Sequence, residues 1–88
     1  MEPRKHIIVG IHVQDRVRQA SEIQKALTQY GCQIKTRLGL HEVSGSYCAV
    51  NALILLEMVG EEGKIEELAR ALNSLDGVEV QKMVFSHT

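Results

Sequence analysis

Apolar positions recur with two different periods along the chain, and the changes of period divide it into six elements. Lys5 to Val13 reads KHIIVGIHV, with Ile7, Val9, Ile11 and Val13 at every second position. A period of two built from β-branched side chains predicts a strand. Asp15 follows as a helix N-cap, its carboxylate placed to accept an orphan backbone N–H. Val17, Ala20, Ile23, Leu27 and Tyr30 then recur at helical spacing, and Gly31 is expected to stop the helix in the left-handed conformation. Cys32 to Val43 predicts a second strand, with Gln33, Lys35 and Arg37 on one face and Ile34, Leu38 and Leu40 toward the other. Ser44-Gly45-Ser46 has the composition of a turn, and Tyr47 to Val59 reads as a long, largely apolar third strand. Gly60 breaks that strand. Glu61 and Glu62 suit the start of a second helix, where the macrodipole favours carboxylates. Ile65, Leu68, Ala69, Leu72 and Leu75 form its apolar stripe. Asp76-Gly77 turns the chain into a last strand carrying Val78, Val80 and Val84.

The order β-α-β-β-α-β predicts an α+β domain of ferredoxin-like plan. Two right-handed crossovers lay both helices on one face of a four-stranded antiparallel sheet, with the first and third strands central. The 88 residues suffice for a single domain, 1–88, with a core spanning about 5–85. The opposite face of such a sheet should be polar in a monomer. Here strand parity turns Ile8, Leu53, Leu55, Met83 and Phe85 outward on adjacent strands, among His6, His12, Asn51, Glu57 and Gln81. Such clustering exceeds the scatter of single apolar residues found on any surface. These five residues are therefore the candidate interface for self-association, as a dimer or tetramer.

Composition narrows the function. Only Tyr30, Tyr47 and Phe85 are aromatic, too few for a base-stacking platform, and the net charge of −1 lacks the footprint of a phosphate-backbone binder. No direct nucleic-acid contact is expected. The longest apolar run, Ala52 to Leu56, is far short of a membrane span, and the first residues do not form a secretory signal. A cytoplasmic protein is therefore the expectation. Cys32 and Cys48 have no metal or redox spacing. On a hairpin turning near Gly45, Cys32 falls opposite about Met58, which leaves Cys48 roughly 33 Å along the partner strand. A disulfide needs Cα atoms within about 7 Å, so both thiols are expected to be free. No GxSxG, HExxH or GxxxxGK[ST] pattern occurs, and neither an enzyme nor a cofactor is indicated.

Val13-Gln14-Asp15-Arg16, followed by an amphipathic helix, a Gly and a strand, resembles an ACT-type regulatory domain, as does the helix exit Leu75-Asp76-Gly77-Val78-Glu79-Val80. The combination of Val13, Asp15, Arg16, Ile34, Arg37, Gly39, Leu75, Gly77, Val78 and Val80 is most similar to the small regulators of iron-only hydrogenase systems. The resemblance implies a non-catalytic module that assembles into homo-oligomers and binds a small effector or a protein partner. If a small molecule binds, the position of the loop at a strand-to-helix junction places it near Gln14, Asp15 and Arg16, in a crevice between subunits, with Arg37 available to an anionic group. Amino-acid-binding ACT domains carry Pro-Gly after the Asp-Arg pair. Val17 and Arg18 stand there instead, and their bulk crowds that approach.

Two alternative functions remain open. A related nickel-responsive repressor holds metal with His and Cys on strands of this fold, which makes His6, His12, His41 and Cys48 candidate ligands. Parity separates His41, grouped with Lys35 and Arg37 on the outward face, from the helix-facing Cys48, unless a bulge at Gly39 or Gly45 intervenes. Satisfied histidines and a small buried thiol explain the same residues without a metal. Lys35, Arg37 and Arg16 are a candidate anion site beside the start of the first helix, but a charged, solvated strand edge that discourages unwanted pairing explains them better. Glu61, Glu62, Glu66 and Glu67 fit a solvated helix start better than a cation site. The second alternative is a structural adaptor that binds another protein through the apolar sheet face.

Overall fold

Alternation along β1 (Lys5–Val13) does as its pattern predicts: Ile7, Val9, Ile11 and Val13 are all buried beneath the helices. The computed structural model describes residues 5–14, 16–44 and 47–86, and the side chains of residues 6–14, 18–39 and 52–86. After β1 come α1 (Arg16–Gln29), a short 3-10 turn (Gly31–Gln33), β2 (Ile34–Ser44), β3 (Tyr47–Met58), α2 (Glu62–Asn73) and β4 (Val78–Ser86). The strands pair antiparallel in the order β2-β3-β1-β4. This is the predicted ferredoxin-like α+β fold, with β1 and β3 central.

The core lies between sheet and helices. Ile54, Leu56 and Met58 of β3 join the four β1 residues against Ile23 and Leu27 of α1 and Ile65, Leu68 and Leu72 of α2. Burying one such side chain is worth about 1.5–3 kcal/mol. Val78 closes the cluster from β4, and Leu75, which falls just after α2 rather than within it, packs against its edge.

Three local features depart from the sequence pattern. Gly31 does not take the left-handed conformation; only Gly60 (φ 94°) and Gly77 (φ 75°) have positive φ among the described residues. The chain leaves α1 through the 3-10 turn, where the Gln33 N–H donates to the Tyr30 carbonyl at 3.0 Å. That turn reverses the chain without a left-handed residue, so β2 starts at Ile34 instead of Cys32. Along α1, Ala20 is exposed and Gln19 takes the buried position. Its amide Nε2 donates to the Asp76 carbonyl at 2.7 Å, fastening the helix to the turn before β4. Asp15 and the Val17 side chain lie outside the described residues.

The third departure is in β2. Ile34 pairs with Met58 but Thr36 pairs with Glu57, so one residue is inserted at Lys35. The insertion reverses the parity of the strand beyond it. Arg37 comes opposite the core residue Leu56, and Leu38 comes opposite the outward Leu55. A second irregularity falls between His41 and Val43, which pair with Ala52 and Cys48. The His41 side chain, expected to share the outer face with Lys35, lies outside the described residues.

Because Leu56 is fully buried and Val59, just after β3, is exposed, their truncations should separate cleanly. Leu56→Ala is expected to lower unfolding free energy by about 2–5 kcal/mol, against about 0.5 kcal/mol or less for Val59→Ala, as read by urea denaturation.

Candidate functional site

Between the irregularities of β2, and along the described parts of β1, β3 and β4, every second residue points away from the helices, and the register stacks these residues into rows. Leu38, Leu55, Gly10 and Gln81 form one row across β2, β3, β1 and β4. Toward one end lie Thr36, Glu57, Ile8 and Met83, then His6 and Phe85; toward the other lie Leu53, His12 and Glu79. Gly10 has no side chain, so the face dips between Leu55 and Gln81. A Cβ at Gly10 would meet the Leu55 Cδ2 at 3.7 Å and the Gln81 carbonyl oxygen at 3.8 Å. The dip opens into a groove of about 440 Å³ lined by Ile8, Gly10, His12, Leu53, Leu55 and Met83 together with Glu79, Gln81 and Lys82.

Four of the five candidate interface residues, Ile8, Leu53, Leu55 and Met83, therefore share one groove. Phe85 lies on the same face, paired with His6 beyond the groove's end. Leu38 joins this face and was hidden in the sequence by the inserted residue at Lys35. Only a bulge, which has no period of its own, separates the two readings.

One corner of the face is polar. The Glu57 carboxylate, three-quarters buried, accepts from His6 Nε2 at 2.7 Å through Oε2 and from Thr36 Oγ1 at 2.9 Å through Oε1. Lys35 Nζ lies 3.9 Å from Oε2. The His6 and Thr36 hydrogen bonds, aided by the Lys35 charge, hold the Glu57 carboxyl below its ordinary pKa against a smaller opposing effect of burial.

Of the residues expected to hold a ligand, only Gln14 and Arg37 have described side chains, and the two lie apart. Gln14 follows β1; its backbone N–H donates to the Gly77 carbonyl at 2.9 Å and its side chain lies against Gly77. Arg16 is the first residue of α1, its side chain outside the described set, as Asp15 is altogether. Arg37 lies across from Leu56 and donates from Nη1 to Gln24 Oε1 at 3.2 Å. Leu56 pairs with Val9, four residues before the end of β1, which puts Arg37 roughly 13 Å along the sheet from the junction.

Among the described residues no group of three or more His, Cys, Asp or Glu side chains is placed to hold a metal ion. His41 and Cys48 have side chains outside the described set. His6 and His12 are six residues apart on β1, roughly 20 Å. Cys32 is a free, exposed thiol. No helix of the described residues is long and apolar enough to cross a membrane.

No family model and no curated protein sequence matches the chain. Solved structures do. An uncharacterized protein from Thermotoga maritima is similar over 93% of this chain and 99% of its own, with a TM-score of 0.79 and 24% identity. CPII, a nitrogen regulatory PII-like protein from Thiomonas intermedia K12 bound to ADP, AMP and bicarbonate, is similar over 99% of each chain, with a TM-score of 0.56 and 12% identity. A de novo designed protein, Foldit4, is similar over 97% of this chain and 100% of its own, with a TM-score of 0.51 and 17% identity. These likenesses establish the fold. A designed chain among them shows that the architecture alone does not carry a function.

The polar corner has a measurable consequence. A carboxyl whose folded pKa is depressed adds stability that is present above its unfolded pKa and lost as pH falls through the folded value. Between pH 6 and pH 3, wild type should therefore lose more stability than Glu57→Gln, as followed by denaturant midpoints. Parallel losses in the two proteins would show that the His6–Glu57–Thr36 contacts do not contribute.

Proposed function

We propose that this chain is a non-catalytic regulatory module of the cytoplasm that senses a small ligand as a homo-oligomer. The observation that carries the reading is the outer sheet face: contiguous, apolar and grooved in a fold whose other face already holds the whole core. A sheet face of this kind is covered by a partner in an assembled protein. The expected interface is Ile8, Leu53, Leu55, Met83 and Phe85, to which Leu38 is added.

The separation of Arg37 from Gln14 along the sheet supports a ligand site between subunits, where a second chain can bring such residues together. The guanidinium groups suit an anionic ligand. CPII, with the same fold, is bound to ADP and AMP, so adenine nucleotides are the first class to test. The motif resemblance makes the control of an iron-only hydrogenase system the first pathway to test for this module.

Leu53→Glu should shift the mass measured by light scattering toward the monomer, since a carboxylate at the groove cannot be covered without loss of solvation. Titration calorimetry with ADP should show binding that weakens about tenfold or more in Arg16→Ala and Arg37→Ala, the loss typical of a charge-assisted hydrogen bond. A wild-type monomer at all concentrations would overturn the oligomer. Unchanged ADP affinity in both variants would overturn the site.

A further inference from the structure

Three consecutive residues near the end of β4 are exposed: Met83 at 54%, Val84 at 49% and Phe85 at 49%. Met83 and Phe85 belong to the outer face described above. Val84 does not. It pairs with the buried Ile7, which places it on the helix side, where neither helix covers it. A partner laid flat on the outer face cannot reach Val84. A strand added beside β4 covers all three residues.

The backbone of β4 is set for such an addition. The Val78 N–H donates to the Leu75 carbonyl at 3.2 Å and the Val80 N–H donates to Asn73 Oδ1 at 3.2 Å. Both therefore point away from β1. In an antiparallel ladder this direction alternates, and the β1–β4 register runs without a shift from Val78 to Ser86. The N–H and C=O groups of Lys82, Val84 and Ser86 thus also face the open edge of the sheet. Protected edges carry bulges and charges. β2, at the other edge, has two irregularities together with Lys35 and Arg37. The end of β4 has regular register and a single cation, Lys82, whose ammonium is held by Glu66.

We propose that Lys82–Ser86 is a seam to which a second copy of the chain adds, β4 against β4 and antiparallel, about a two-fold axis at Val84. The proposal deepens the homo-oligomer reading and rests on it. In this register Val84 meets the partner's Val84, Lys82 meets the partner's Ser86, and Met83 lies beside the partner's Phe85. The Val84 pair is of the hydrogen-bonded kind. The Met83 pairs are of the non-hydrogen-bonded kind, in which side chains approach more closely and a thioether–ring contact is favourable. No like charges are opposed. A register centred on Lys82 would set the two ammonium groups together, and any register centred before Val84 draws in the Val80 N–H that Asn73 already holds. Registers centred later form fewer pairs. The product is an eight-stranded sheet whose two outer faces run together as one apolar surface. Three half-exposed side chains per copy cover well under the roughly 800 Å² per partner of a standard interface. The seam alone makes a weak dimer, which stacking of the joined faces then strengthens.

The test is disulfide trapping in a Cys32→Ser, Cys48→Ser background. Hydrogen-bonded antiparallel pairs hold Cα atoms about 5.5 Å apart, within disulfide range. Val84→Cys should form a covalent dimer on mild oxidation, and Thr28→Cys, exposed on α1, should not. Trapping of Val84→Cys no faster than Thr28→Cys would overturn the seam. Val84→Pro removes an N–H that faces the open edge and spares the β1 ladder. With an unchanged circular dichroism spectrum it should weaken dimerisation about tenfold or more, and an unchanged oligomer mass would count equally against the seam. Adding Leu53→Glu to the Val84→Cys protein separates the two ideas. Trapping that survives it supports the seam even if the outer face proves not to stack. A wild type that oligomerises through Leu53 while Val84→Cys does not trap would leave the general reading standing and remove the seam.

Discussion

Two helices on one face of a four-stranded sheet impose the constraint on which the other features depend. A strand has a period of two, so each residue sent into the core commits its neighbours to the opposite face. Ile7, Val9, Ile11 and Val13 bury completely only because His6, Ile8, Gly10 and His12 face the other way. β3 is under the same rule: Ile54, Leu56 and Met58 complete the core, and Leu53, Leu55 and Glu57 are turned out. The chain could have placed polar residues at those outward positions at no expense to the core. It places leucines on one of the two central strands, where they add nothing to the helix-side packing.

The sheet edges show a second division of labour. β2 is bulged and charged, and the inserted residue at Lys35 re-aims Arg37 toward α1, where Gln24 accepts its hydrogen bond. β4 is regular to its end. Its first half is tied by the turn and by Asn73, a side chain at the last position of α2 that takes the place of a neighbouring strand at Val80. The same feature that fastens the helix exit to the sheet also fixes where an added strand could begin.

Much of this was legible in the sequence, because element order, central strands and the two-sided apolar pattern of β3 depend on periods that survive in one dimension. The features that were not legible depend on partners far along the chain. Gln19 is buried and Ala20 exposed because a carbonyl at Asp76, 57 residues away, rewards an amide at that position. Helical spacing alone favours the alanine. Gly31 looked like a left-handed stop, but the chain reverses through a 3-10 turn that no residue type announces. The parity of β2 failed for a similar reason. Of the candidate site, the outward leucines and methionine were visible through strand parity, whereas the distance of Arg37 from the Gln14–Arg16 junction required knowing that Arg37 pairs across from Leu56.

The polar corner limits how the outer face can be covered. Glu57 stands one row from Leu55, on the same strand and the same face. An unpaired carboxylate enclosed beside leucines would oppose assembly strongly. His6, Thr36 and Lys35 surround it instead, supplying two hydrogen bonds and a nearby positive charge. A covering surface therefore gains most by centring on Leu53, Leu55 and the dip at Gly10, and by leaving the Glu57 corner at its rim. The apolar centre supplies the attraction, and the corner, already satisfied within its own chain, determines on which side the contact must stop.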